Sequence, residues 1–258
     1  MNVMFIAPHP DDIEFTSTSA CKQAVDLGWT VHEVLMTSDE YGTHRNEFKG
    51  KRIKRIRMHE MEEAAKTYGT NADGTLRIQL TWFGEIDGHL PFTKTVLSHI
   101  KRMILEFKPR IVFAPDSFFT LDFHPDHLHT GWLVYLAIKS MPESDRPVLL
   151  LYHSFKNDVY IRVKDRAFLG VAWSKHLSQT TPLRNKISII GRVLFFNLRR
   201  YKTGPAIAEG FRHARFKLGE NIILNFWRRV VYYVLAKVSL NASPGELYQP
   251  SPDALGLL

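Results

Sequence analysis

Two short segments of this chain concentrate imidazole and carboxylate groups: Pro8-His9-Pro10-Asp11-Asp12 near its start and His124-Pro125-Asp126-His127 near its middle. Histidine with aspartate or glutamate is the donor set that a catalytic zinc takes from a protein, about three groups in all, with a further position left open. Between them the two segments can supply it. A zinc held this way brings the pKa of water toward 7 and polarises a carbonyl oxygen, while a neighbouring carboxylate takes the water's proton. Asp11, next to a ligand but directed elsewhere, suits the role of base. Either segment alone has a plainer reading, because Pro-Asp-Asp commonly caps a helix. Their joint occurrence favours the metal.

Such groups need a framework to bring them together. Residues 1–155 alternate short apolar runs with longer helical patterns, the signature of a parallel sheet with crossover helices. The pattern predicts strands at Val3–Ala7, Val31–Met36, Leu76–Phe83, Ile111–Ala114 and Val148–Tyr152. It predicts helices at Thr16–Leu27, Arg52–Tyr68, Thr93–Phe107 and Asp126–Ser140, with Gly28 and Gly69 as stops. The expected fold is α/β, a doubly wound, mostly parallel, Rossmann-like sheet. Ligands in such sheets bind beyond the carboxyl ends of the strands, which is where both segments fall. From Asp165 onward the pattern turns to amphipathic helical stretches broken by Pro182, Gly204-Pro205 and Gly219, without further strong β signal. Residues 1–180 are therefore expected to form the core and 181–258 a helical, basic extension of the same domain.

Several separated segments together resemble the zinc-dependent N-acetylglucosamine deacetylases of the PIG-L or LmbE-like type. Ala7-Pro8-His9-Pro10-Asp11-Asp12 and His124-Pro125-Asp126-His127 look like that family's two metal motifs. Thr37 to Gly42, Arg57 with Glu60, Ala64 and Gly69, His176-Leu177-Ser178-Gln179 and Ala208-Glu209-Gly210-Phe211-Arg212 resemble further family segments. Val112-Phe113-Ala114-Pro115-Asp116 looks most like the diacetylchitobiose deacetylase type. The resemblance implies that His9, Asp12 and His127 hold Zn2+ and that Asp11 is the general base. It makes His124 a general acid or oxyanion stabiliser with Asp126 orienting its ring, and places Arg57 and Asp87 at the sugar. The implied reaction is removal of the acetyl group from an N-acetylglucosamine-type amino sugar by zinc-activated water. Phe15-Thr16-Ser17-Thr18-Ser19 stands where the family usually runs glycine-rich into its first helix, a departure that bears on the substrate more than on the metal.

Composition narrows the remaining options. Hydrophobic content of 45% and charged content of 23% over 258 residues are ordinary globular values. Cys21 is the only cysteine, which excludes an internal disulfide framework and a multi-cysteine zinc site; a buried, inert thiol is expected. The first residues carry no basic leader or cleavage site and no run is long enough to span a bilayer, so a cytoplasmic setting is expected. No phosphate-binding loop, dinucleotide fingerprint or serine nucleophile elbow occurs. Of the formal charge of +8, Arg184 to Lys237 carries twelve Lys or Arg against Glu209 and Glu220. That stretch, with its interleaved aromatics, is expected to be core or a homo-oligomer interface, or else a peripheral membrane surface for a lipid-linked sugar. Nucleic acid is not the expected partner. The competing functions are a non-catalytic basic binding module and a zinc amidase acting on a non-sugar amide.

Overall fold

The apolar runs of the first 155 residues become neighbouring strands of one sheet because the sheet is covered on both faces. The computed structural model describes residues 1–43, 46–120, 122, 124–179, 207–217 and 220. In chain order the strands are β1 (Asn2–Ala7), β2 (Thr30–Thr37), β3 (Ile78–Glu85), β4 (Ile111–Pro115), β5 (Val148–Tyr152), β6 (Val159–Arg162) and β7 (Ala208–Ala214). The helices are α1 (Asp12–Thr16), α2 (Thr18–Asp26), α3 (Lys51–Tyr68), α4 (Lys94–Phe107), α5 (Pro125–Lys139) and α6 (Phe168–Val171). The sheet runs β3-β2-β1-β4-β5-β7-β6. The pairings from β3 to β5 are parallel, and β7 is antiparallel to both β5 and β6. The doubly wound, mostly parallel α/β architecture is thus the one expected.

Successive residues of a strand face opposite sides, and β1 divides its side chains accordingly. Met4 and Ile6 join Val34, Val112, Ile100 and Val134 in the layer under α4 and α5. Val3 and Phe5 join Val31, Leu35, Cys21 and Met61 in the layer under α2 and α3. Cys21 is fully buried and burial pushes its thiol pKa up, as an inert thiol requires. At Gly131, α5 presses so closely on the end of β4 that a Cβ would stand 2.3 Å from the Pro115 carbonyl oxygen. No larger residue lets the first turn of α5, which carries His127, approach the sheet so nearly.

Two local expectations are corrected. The helix predicted over Thr16–Leu27 begins earlier and is two helices, broken at Ser17. The start of α2 is held from far away, with the Ser19 and Ala20 N–H groups donating to the Glu209 carboxylate at 2.7 and 2.8 Å. Glu209 belongs to β7, in a region read as purely helical. That region, with Val159–Arg162 before it, contributes two strands, because the charges that disguise β7 are buried against specific partners. Glu209 caps α2, and Arg212 forks onto Asp116 at the end of β4 with contacts of 2.7 and 3.1 Å. The expected division near residue 180 and most of Arg184–Lys237 lie outside the described residues. Among the described residues, no helix is long and apolar enough to cross a membrane.

Candidate metal centre

The strand order reverses between β1 and β4, and the two ligand-bearing segments leave the carboxyl ends of those two strands, side by side. His9, Asp11 and Asp12 lie in the turn from β1 into α1. Pro125 occupies the first turn of α5, where its missing N–H costs nothing, and His127 follows in that same turn. The structure brings His9, Asp12 and His127 together as a buried group. His9 Nδ1 is 3.2 Å from His127 Nε2, His127 Nε2 is 3.4 Å from Asp12 Oδ1, and His9 Nδ1 is 3.7 Å from Asp12 Oδ2. Donors about 2.0–2.2 Å from a tetrahedral zinc stand about 3.3–3.6 Å from one another. The triangle therefore fits the ion.

The outer nitrogens of both rings meet carboxylates, which decides the tautomers that leave lone pairs facing inward. His9 Nε2 lies 3.1 Å from Asp87 Oδ1 and 3.2 Å from Asp126 Oδ2. His127 Nδ1 lies 2.7 Å from Asp122 Oδ2. Burial alone would lower the pKa of His9, but Asp126, Asp87 and Asp12 outweigh it and raise it well above the ordinary value. Burial acts the same way on His127, and Asp12 with Asp122 carries it up to about 9. A divalent cation would take the place of the inward-facing protons of these two rings, and the surrounding carboxylates of Asp12, Asp87, Asp122 and Asp126 supply negative charge to balance it.

Asp11 stands beside this group at φ 126, in the left-handed region that a non-glycine residue enters only under constraint. The constraint is Arg57 of α3. Its Nη2 is 3.0 Å from Asp11 Oδ2 and also donates to the Pro10 carbonyl, its Nε is 2.5 Å from Asp39 Oδ2, and its Nη1 is 3.7 Å from Glu60 Oε2. Asp39, two residues past β2, has φ 55, and His153, one past β5, has φ 58. Left-handed residues thus cluster at this end of the sheet.

His124 caps α5 at the mouth of the group, its ring edge-on to His9 with centroids 4.6 Å apart. Its Nδ1 accepts the Asp126 backbone N–H at 3.3 Å, so the neutral ring carries its proton on Nε2. Desolvation, with His9 and His127 nearby, pushes its pKa down to about 4.

Three sequence expectations change here. The Asp126 carboxylate does not orient His124: it accepts Gly88 and Leu90 N–H at 2.7 and 3.1 Å and meets His9. Arg57 and Asp87, expected at the substrate, point inward with side chains only 1% and 6% exposed. Arg57 holds Asp11, and Asp87 backs His9 while accepting the Tyr41 N–H at 3.1 Å. Asp39, Asp122 and His153 were not singled out from sequence. Each sits in a loop after a different strand, and position just past a strand end is the signal that could have found Asp39 and His153.

A family of known proteins shares this arrangement of segments. The PIG-L family, described as GlcNAc-PI de-N-acetylase, matches residues 4–138, just over half the chain and all of the proposed ligands. The chain belongs to the PIG-L family. Among curated PIG-L relatives, the diacetylchitobiose deacetylase of Thermococcus kodakarensis is 28% identical over 177 residues, which are 63% of this chain and 64% of that one. A Bacillus cereus protein described as a probable N-acetyl-alpha-D-glucosaminyl L-malate deacetylase is 28% identical over 57% of this chain and 66% of its own length. The chain thus spans a little under two thirds of the length of these curated relatives. The solved N,N'-diacetylchitobiose deacetylase of Pyrococcus horikoshii superposes with a TM-score of 0.73 at 26% identity, covering 83% of this chain and 84% of that one.

Proposed function

We propose that this PIG-L protein is a zinc-dependent N-deacetylase that removes the acetyl group from an N-acetylglucosamine-type amino sugar or its conjugate. The observation that carries the reading is the His9, Asp12 and His127 triangle, sized for zinc, with Asp11 constrained at its side. Relatives named for deacetylation of diacetylchitobiose and of an N-acetylglucosaminyl malate support the substrate class.

When held by His9, Asp12 and His127, the metal supplies Lewis acidity, which acidifies water and polarises the amide carbonyl. Asp11 takes the proton of the attacking water. Its side chain keeps 17% exposure while Arg57 Nη2 holds its Oδ2 at 3.0 Å. His124 carries its proton on Nε2, 4.0 Å from Asp87 Oδ1, and keeps 42% of its side chain exposed, a neutral donor suited to the oxyanion that develops on the carbonyl oxygen. Asp11 then returns its proton to the departing nitrogen, and acetate and a free amine leave. Asp87 and Asp126 hold the outer nitrogen of His9 and so fix which nitrogen faces the centre.

The test is acetate release by the purified, zinc-loaded protein from N-acetylglucosamine, diacetylchitobiose and a lipid-linked N-acetylglucosamine, beside a His9→Ala control. Release that depends on His9 is expected. Stoichiometric zinc without acetate from any of the sugars would reject the sugar substrate in favour of another amide.

A further inference from the structure

On the side of His127 away from the metal donors lies a pair of residues that no metal motif contains. Asp122 Oδ2 sits 2.7 Å from His127 Nδ1, oblique to its N–H. The same oxygen meets His153 Nδ1 at 3.2 Å. The His153 ring lies almost parallel to that of His127, 10° between planes and 5.9 Å between centroids. One carboxylate oxygen thus joins two stacked imidazoles. His153 reaches this place from the end of β5 only by taking the left-handed backbone at φ 58, a conformation that persists where the surroundings demand it.

We propose that Asp122 and His153 are positioning residues for the metal centre: Asp122 fixes the His127 ring so that Nε2 faces His9 and Asp12, and His153 fixes Asp122. This rests on the metal reading above. A carboxylate behind a ligating imidazole sets its tautomer and orientation, and loss of such a partner weakens metal binding about 10- to 100-fold. Asp122, His127 and His153 also have the donor types of a second metal group. The 2.7 Å ion-pair contact of Asp122 with His127, its 3.2 Å hydrogen bond with His153 and the prior engagement of His127 with the first group favour the positioning reading.

The experiment measures Zn2+ affinity of the full chain by competition with a chromophoric chelator, zinc stoichiometry, and the visible spectrum of the Co2+-loaded protein. The variants are Asp122→Asn, His153→Gly and His153→Asn. Glycine and asparagine both accept the backbone at residue 153, but only asparagine keeps a donor near the position of Nδ1. Asp122→Asn and His153→Gly are expected to weaken zinc about 10- to 100-fold and to shift the Co2+ bands, with His153→Asn restoring the affinity lost in His153→Gly. Asp122→Asn combined with His153→Gly should bind no more weakly than Asp122→Asn alone, because the two act in series. Wild-type affinity in Asp122→Asn overturns the proposal. So do two zinc ions per chain, or a lowered melting temperature of the metal-free variants with unchanged affinity. A wild-type chain that binds no zinc refutes the metal centre itself, a different result from zinc binding that ignores Asp122.

Discussion

Replacing Arg57 with methionine removes the one guanidinium set among Asp11, Asp39 and Glu60, and the structure indicates where the cost falls. Glu60 keeps the Ser178 N–H and Oγ at 2.6 and 2.7 Å and stands 3.7 Å from Arg57, so it loses least. Asp11 is 17% exposed and regains some water. Asp39 is 9% exposed and loses a 2.5 Å partner; burial already holds its pKa up at about 7 with Arg57 opposing, so without Arg57 it must take up a proton at neutral pH, at a cost to the folded state. Breaking a buried pair from one side costs about 3–5 kcal/mol, a large share of the roughly 5–15 kcal/mol that holds a typical domain folded. For a domain of this size that is a fall of roughly 6–20 °C in melting temperature. Arg57→Lys keeps the charge but not the fork, so it should cost less stability, about 1.5–3 kcal/mol, and expose the effect on chemistry. Without the paired grip on Asp11 and the Pro10 carbonyl, the base relaxes from its left-handed backbone, and a displacement near 1 Å costs about 100-fold in rate. Zinc content should remain that of wild type, since no metal donor is touched. The assays are thermal melting, bound zinc and acetate release on the same preparations. Arg57→Lys turning over at the wild-type rate would show that Arg57 does not place Asp11, and Arg57→Met melting like wild type would remove the buried ion group from the account.

Asp11→Asn should retain zinc and lose about 100- to 10,000-fold in kcat, the usual contribution of a positioned base; undiminished acetate release refutes the assignment. Stripping the metal with dipicolinate should lower the melting temperature by roughly 5–10 °C if zinc was present near 100 times its Kd, and His9→Ala should show no such shift. Glu33 of β2 is fully buried, with both carboxylate oxygens lacking a hydrogen-bond partner among the described residues. Burial, then Glu14 and Asp12, raises its pKa well above the ordinary value, and Cys21 and Tyr68 also face it. A raised folded value means that its contribution is present below about pH 4.5 and is lost as pH rises through the folded value. Glu33→Met should therefore stabilise the protein by about 1–3 kcal/mol at neutral pH, more at pH 8 than at pH 4.5. Parallel stability profiles for the two proteins across that range would contradict the argument.

The grouping of His9, Asp12 and His127 was legible because these side chains sit in two short segments whose chemistry is local and whose strand-end positions follow from periodicity. The parallel strands were legible for the same reason, with uninterrupted apolar runs. What escaped depends on distant partners. Glu209 and Arg212 look like surface charges until Ser19 and Asp116, 190 and 96 residues away, are seen to take them. Asp39 and His153 are single residues in separate loops, with no spacing to mark them. Arg57 was visible as a residue of interest, but only the fold shows that it faces Asp11 rather than the open cleft.

The antiparallel strand β7 also has a consequence for how the chain matures on the ribosome. It wedges between β5 and β6, and its Arg212 ties down Asp116, the root of the loop that delivers Asp122, His124 and His127. Tyr152 closes the parallel strands, yet Ala214 must still be synthesised before that loop is anchored, a wait of roughly 3–12 s at ordinary elongation rates. For that interval the sheet lacks the β7 partner of β5 and the loop lacks its Arg212 tie, so the last of the described strands is also the one that anchors the segment bearing Asp122, His124 and His127.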